Sequence, residues 1–235
     1  MISLQLNELR RMEGVYLHGP ADVSRVKRVE SELGLSLPEE HREILLCSNG
    51  VEAYGGHLRL FGAYSTESID ITIWNDPNYW KFAWGDRCSG YCCFGETGWG
   101  DQYAYSYESL RSGAAKVHYV DALSMRVEVV ASSFAEFFEK EFLRVAKEPY
   151  DVMTKLARDR LGILEATSHV VYVPSSLLTG TEDIGHVQKM NARSAMICNG
   201  DVALQLDAGP PDGTVKTVEA YEDDLRRTRL RLVWD

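Results

Sequence analysis

The chain has 235 residues, a formal net charge of −10 and an apolar fraction of 45%, which suits one large domain or a domain with a smaller companion. No run of about eighteen apolar residues occurs, so no membrane span is expected, and the negative balance argues against direct nucleic-acid binding, which needs a basic stripe. Met1 to Glu8 lacks a positive region followed by a long apolar stretch, so no signal peptide is expected and the cytoplasm is the expected compartment.

The first predicted helix is capped by Asp22, carries Val23, Val26, Val29 and Leu33 on one face, and ends at Gly34. Pro38 opens a second helix at its first position, with Glu39 and Glu40 in the turn where the helix dipole favours negative charge. Ile44, Leu45 and Cys47 form its buried side, and Asn49-Gly50 stops it.

From His57 to Ala131 the pattern changes to strands. Leu58 to Phe61, Ile69 to Trp74, Tyr91 to Phe94, Gln102 to Tyr107, Lys116 to Val120 and Arg126 to Ala131 are short β-branched or aromatic runs between turn residues. Ile69 to Ile73 alternates as a half-buried strand should. Ser133 and Glu136 make a capping-box pattern, and Phe134, Phe137, Phe138 and Phe142 recur at helical spacing, so a core-packed helix from about Phe134 to Ala146 closes the first part.

Lys147-Glu148-Pro149 marks a boundary, because proline terminates a helix. A further helix runs from Asp151 to Leu161 and stops at Gly162, and a strand from His169 to Val173 ends at Pro174. Asn199-Gly200 between Ala195–Cys198 and Asp201–Leu206 predicts a hairpin, since Asn-Gly supplies two residues that tolerate positive φ. Val215 to Tyr221 and Leu230 to Trp234 would add edge strands.

The familiar catalytic patterns are missing: no Walker-type loop, no G-x-S-x-G, no H-E-x-x-H and no paired C-x-x-C. The five cysteines, at 47, 88, 92, 93 and 198, are an odd set better read as reduced thiols than as disulfides or metal ligands. Gly95 to Asp101 is glycine-rich but has no lysine, which favours a tight turn between strands over a phosphate cradle. Glu96 and Asp101 there could act as an acid–base pair, but no nucleophile stands beside them in the sequence. His41, His57 and His118 read as packed or surface histidines. No enzyme activity, cofactor or metal is expected.

Charge is uneven. Between Tyr64 and Ser109 only Lys81 and Arg87 oppose Glu67, Asp70, Asp76, Asp86, Glu96, Asp101 and Glu108, and this segment holds four of the five tryptophans. One reading is a solvated acidic face over an aromatic core. The other is a partner-binding surface whose negative field steers a cationic protein.

The order of Leu33-Gly34, Leu37-Pro38, Asn49-Gly50, Leu58-Arg59-Leu60-Phe61, Phe94-Gly95 to Gly100-Asp101 leading to Tyr105, and Ser133-Phe134 with Phe137-Phe138 resembles the SUKH superfamily over about residues 15 to 147. Phe94 to Asp101 is also similar to the GAD-like part of type VI secretion immunity proteins. Leu161-Gly162, Leu164, Val171-Tyr172-Val173-Pro174, Leu178-Thr179-Gly180 and Lys189 resemble the C-terminal domain of those proteins, with Thr179 in place of a usual glycine. These resemblances imply an α+β fold: a mostly antiparallel sheet with packed N-terminal helices and a closing helix in residues 1–148, SUKH-like or GAD-like, and a smaller α+β part in 149–235. The two parts would be free to pack as one unit. They also imply an immunity protein that binds and silences a cognate bacterial toxin with a basic surface, such as a nuclease; a general interaction scaffold of the same fold is the alternative. Under the immunity reading Trp74, Trp80, Trp84 and Trp99 would be anchors, with Asp76, Asp86, Glu96 and Asp101 around them.

Overall fold

A computed structural model of the chain describes residues 2–149 and 151–235. Seven strands follow one another as antiparallel neighbours: β1 (Tyr16–Leu17), β2 (Val51–Ala53), β3 (Leu58–Leu60), β4 (Tyr91–Thr97), β5 (Gln102–Ser106), β6 (Val117–Val120) and β7 (Val127–Ala131). The chain is thus α+β with a sheet whose strand order equals its sequence order.

Helix α1 (Ile2–Leu9) precedes the sheet, and α2 (Val23–Leu33) and α3 (Glu39–Cys47) lie between β1 and β2. Asp22 caps α2 by accepting from the Arg25 N–H at 2.9 Å, and Gly34 ends it with φ 64°. Pro38 sits at the cap position of α3, one residue before the expected place.

Short helices α4 (Ile71–Asn75), α5 (Asp86–Ser89) and α6 (Tyr107–Arg111) interrupt the strands. The first corrects an expectation, because Ile69 to Ile73 is not a strand. The Asp70 carboxylate accepts from the Thr72 and Ile73 N–H groups and caps a helix. Ile71 and Trp74 then face inward while Ile73 is 56% exposed, so helical spacing overrides the alternation.

The closing segment is α7 (Phe134–Phe137), a π turn at Phe138–Phe142, and α8 (Leu143–Lys147). Ser133 accepts from the Glu136 N–H at 3.2 Å, and all four phenylalanines of the predicted stripe are fully buried. Their face meets Phe94 and Tyr103 from the sheet and His41 from α3, whose ring stacks on Phe134 at 4.5 Å. His41 is therefore a core residue; burial pushes its pKa down to about 3.

Beyond Pro149 come α9 (Val152–Leu161), β8 (Ser168–Tyr172), α10 (Ser176–Thr179), β9 (Val187–Asn191), α11 (Ala192–Ala208), β10 (Val215–Glu222) and β11 (Thr228–Trp234). Gly162 ends α9 as the sequence indicates, while Asp151, the expected first helical residue, stands one position earlier as its cap. The hairpin at Asn199-Gly200 does not exist, since both residues lie inside the 17-residue α11. A side chain at Gly200 would meet the Ala83 carbonyl oxygen at 2.5 Å and Trp84 at 2.6 Å. This glycine serves a close helix approach, not a turn. β8 pairs with β9 and β10 with β11 as two separate ribbons, so the last two strands extend no larger sheet. Ala192, Met196, Ile197 and Ala203 of α11 join the same apolar cluster as the sheet, while Ala157, Leu164, Val170, Tyr172 and Val187 form a smaller one.

Candidate functional site

Two adjoining places gather the polar and aromatic residues: a sealed seam and an open cleft. Both are built by the β4–β5 hairpin.

The seam begins with a bulge. Pairing runs Cys93↔Ala104 and then Gly95↔Tyr103, so one residue of β4 is extra. Simple alternation would put Phe94 and Glu96 on one face. With the bulge, Phe94 packs towards α7 while Glu96 turns to the opposite face, opposite Arg59 of β3 and Gln102 of β5. Arg59 Nη1 donates to Glu96 Oε1 at 2.7 Å, and Gln102 Nε2 donates to Glu96 Oε2 at 3.2 Å. His169 of β8 places Nε2 3.0 Å from the same Oε2, and Arg59 Nη2 donates to the backbone carbonyls of Leu164, Glu165 and Ser168. Arg59 and His169 are 2% and 0% exposed, and Glu96 is 0% exposed. Burial alone would raise the Glu96 pKa, but His169 and Arg59 together outweigh it and hold the carboxyl below its usual range. Gly100, at φ 90°, permits this closure, because a Cβ there would lie 2.9 Å from His169 Nδ1.

Three of the predicted anchors belong to this seam. Trp74 Nε1 donates to Gln102 Oε1 at 2.7 Å, Trp80 is wedged between Trp74 and Trp84, and Trp84 Nε1 donates to the Met196 carbonyl of α11 at 2.8 Å. Trp74, Trp80, Trp84 and Glu96 are at most 3% exposed. The structure thus corrects their placement on an outer surface: they join the N-terminal and C-terminal parts from inside. Asp76 and Asp86 are exposed, at the end of α4 and the start of α5.

Trp99 and Asp101 face the cleft. Trp99 is half-buried, stacks on Tyr172 at 4.9 Å and 20°, and donates from Nε1 to Thr154 Oγ1 at 2.8 Å. One lobe of the cleft, about 250 Å³, has Asp101, Asp121, Asp151 and Glu182 around this stack. An adjoining lobe of about 300 Å³ shares Trp99, Asp101 and Asp151 and adds Glu128 and Glu141. No lysine or arginine among the described residues lines either lobe. Arg144 lies just outside, paired with Glu141 at 3.3 Å.

Electrostatics mark this deficit. Burial pushes the Asp101 carboxyl up, hydrogen bonds from Thr97 and the Ala122 N–H only partly oppose it, and Asp121 adds like-charge repulsion. Burial likewise raises Glu141, with Arg144 opposing and Glu128 reinforcing. The Tyr172 hydroxyl is pushed up to about 12 by burial, helped by the charges of Glu182 and Asp151. Nothing local to Trp99 marks Tyr172, Glu182 or Asp121 as its neighbours, because they come from distant segments. Arg59 alone had a local signal, a cation set between two strand leucines.

The cysteines offer no alternative centre. Cys88 and Cys93 are free and buried with sulfurs 3.9 Å apart, and no cluster of three or more His, Cys, Asp or Glu among the described residues is arranged to hold a metal. Among the described residues no helix is long and apolar enough to cross a membrane.

An antiparallel sheet with helices on one face and a bulge-directed charged seam on the other defines an α+β domain carrying a second α+β part. Residues 20–140 match the SMI1/KNR4 family (SUKH-1) model, and the chain belongs to that family. The family is associated with immunity proteins, which are typically non-catalytic. The crystal structure of Atu4351 from Agrobacterium tumefaciens is similar over 96% of both chains, at 12% identity and a TM-score of 0.54, a likeness of fold that extends beyond the matched family region. No curated protein sequence matches the chain.

Proposed function

We propose that this chain is an immunity protein that binds a cognate bacterial toxin and neutralises it by protein–protein contact, without catalysis and without a cofactor. The observation that carries the reading is the acidic, aromatic cleft at Trp99, where Asp101, Asp121, Asp151 and Glu182 face one another with no lysine or arginine among the described residues lining their lobe. Uncompensated charge beside aromatic rings is costly to maintain in the free protein and favourable only when a cationic surface covers it. A toxin acting on nucleic acid has such a basic surface, and the exposed Asp76 and Asp86 add to the chain's overall negative charge, which would steer it. The resemblance of residues 149–235 to type VI secretion immunity proteins supports a toxin delivered between cells, met in the cytoplasm.

Co-expression with the toxin encoded beside this gene should restore growth, and the purified pair should bind at nanomolar affinity or better. A toxin that kills equally with and without this chain would sink the reading. Recovery of an endogenous, readily exchanging partner instead would favour a general scaffold.

A further inference from the structure

We propose that the lobe formed by the Trp99–Tyr172 stack with Asp121, Asp151 and Glu182 is the seat of an arginine side chain presented by the partner protein. The inference rests on the proposed function for what the partner is, and on the cleft itself for the chemistry.

Charge comes first. Asp121 and Asp151 are held in place by their own turns, Asp121 accepting from the Leu123 and Ser124 N–H groups and Asp151 from those of Met153 and Thr154. Neither is neutralised by a cation among the described residues, and Glu182 is exposed without an ion pair there. Carboxylates fixed by backbone donors are preorganised acceptors, so little ordering is lost when a cation arrives.

A second, independent feature is a polar group without a partner. Ser176, in the wall of the same lobe, is 8% exposed, and its hydroxyl has no hydrogen-bond partner among the described residues. A buried hydroxyl left unpaired is costly, and a guanidinium N–H entering the lobe would satisfy it.

Arginine suits the site better than lysine. Its planar fork can bridge separate carboxylates and lie against an aromatic ring, whereas an ammonium is a compact, strongly hydrated charge. The chain uses the same contact internally: Arg158 lies over Tyr54 at 4.2 Å, Arg28 over Tyr64 at 4.2 Å and Arg227 over Phe82 at 3.7 Å. None of the cation–ring contacts among the described residues involves Trp99 or Tyr172. The lobe's volume of about 250 Å³ is below the ~300–1,000 Å³ of sites for drug-sized ligands, and fits one side chain.

The full chain should be titrated with acetyl-Gly-Arg-Gly-amide and with its citrulline and lysine counterparts, following heat and the Trp99 indole N–H resonance. The arginine peptide should saturate and shift that resonance, with the citrulline peptide at least about tenfold weaker and the lysine peptide in between. Glu182→Lys, an exposed change that leaves the fold intact by circular dichroism, should weaken the arginine peptide several-fold. Equal binding of arginine and citrulline peptides, tighter binding of the lysine peptide, or indifference to Glu182→Lys would each overturn the inference. The two readings separate cleanly. Toxin neutralisation that persists unchanged in Glu182→Lys, with no arginine-peptide binding, removes the arginine seat and leaves the immunity function. Charge-selective peptide binding without any effect on the toxin does the reverse.

Discussion

Glu96 and Asp101 are both buried and flank the same hairpin, yet the fold treats their charges in opposite ways. Glu96 meets Arg59, His169 and Gln102, and its carboxyl is held below the usual range. Asp101 meets only the hydroxyls of Thr97 and Tyr119 and the Ala122 N–H, with no cation beside it among the described residues, and burial pushes it up. A buried charge that brings its own counter-charges is architecture. One left without them stores a demand that a partner can meet. The seam and the cleft are therefore different kinds of object, although one short loop supports both.

The largest effect tests the seam. Glu96→Gln leaves the Arg59 guanidinium in an interior where it is 2% exposed, with its main counter-charge gone. Breaking a buried pair on one side costs about 3–5 kcal/mol. Urea unfolding should show a loss of that order, and a loss under about 1 kcal/mol would mean the seam does not hold the two parts together. Replacing both partners, Arg59→Met with Glu96→Leu, should recover some of the loss, because no charge is then stranded.

Gly200 gives the next effect, and its sign is diagnostic. In an exposed helix Gly→Ala is worth about 1 kcal/mol of added stability. Here the new methyl would press on the Ala83 carbonyl and on Trp84, whose indole is bonded to Met196. Gly200→Ala should therefore cost about 1–3 kcal/mol in thermal or chemical unfolding. A gain would place α11 further from the Trp84 turn than it stands.

Gly200 also shows where the sequence could be read and where it could not. Asn199-Gly200 carries the strongest local signature of a hairpin, but the decision was made by a helix packing against a segment more than a hundred residues away. Local turn chemistry lost to a tertiary contact. At Asp70 the failure was different: a cap and an alternation competed over the same five residues, and the cap won. The terminal signals that need only neighbours, Asp22, Gly34 and Gly162, were legible and stand as expected. The phenylalanine stripe was legible too, since a period of 3.6 is written along one helix. The site was half legible. Trp99 and Asp101 lie in a glycine-rich loop that the sequence singles out, whereas Trp74, Trp80 and Trp84 have the same composition signal and are internal. Composition reports that tryptophans and acids are near one another in the chain. It cannot report the bulge that turns Glu96 inward, nor that His169 and Tyr172 arrive from a later strand.

The aromatic face of the sheet offers a pH test that keeps the seam apart from the core. His41 has a folded pKa of about 3 against 6.5 in the unfolded chain, because burial opposes its charged form. Below pH 6.5 the unfolded chain takes up the proton first, so stability should fall by up to about 1.4 kcal/mol per pH unit as pH drops towards 3. Glu96, with a lowered folded pKa, contributes stability that is present above its unfolded value of 4.5 and is lost at more acid pH. Asp101 and Glu141, whose pKa values are raised, act in the opposite sense, so the comparison must be a difference between variants. His41→Gln keeps an acceptor for the Tyr105 hydroxyl and does not titrate. Its stability should approach that of the native chain between pH 6.5 and 5, before Glu96 responds. Parallel curves through that window would show that His41 is not neutral in the core.

The smallest effect is the sharpest test of the contrast. Asp101→Asn keeps an oxygen for the Ala122 N–H, and its amide can donate to Thr97 Oγ1 once that hydroxyl turns its own proton elsewhere. It also removes a charge that burial and Asp121 both oppose. These changes nearly cancel, so unfolding should move by less than about 1 kcal/mol in either direction. The same substitution chemistry at Glu96 strands a cation; at Asp101 there is none to strand. If Asp101→Asn proves as damaging as Glu96→Gln, the cleft carboxylate is structural after all, and its negative field is a by-product of folding with no cation to receive.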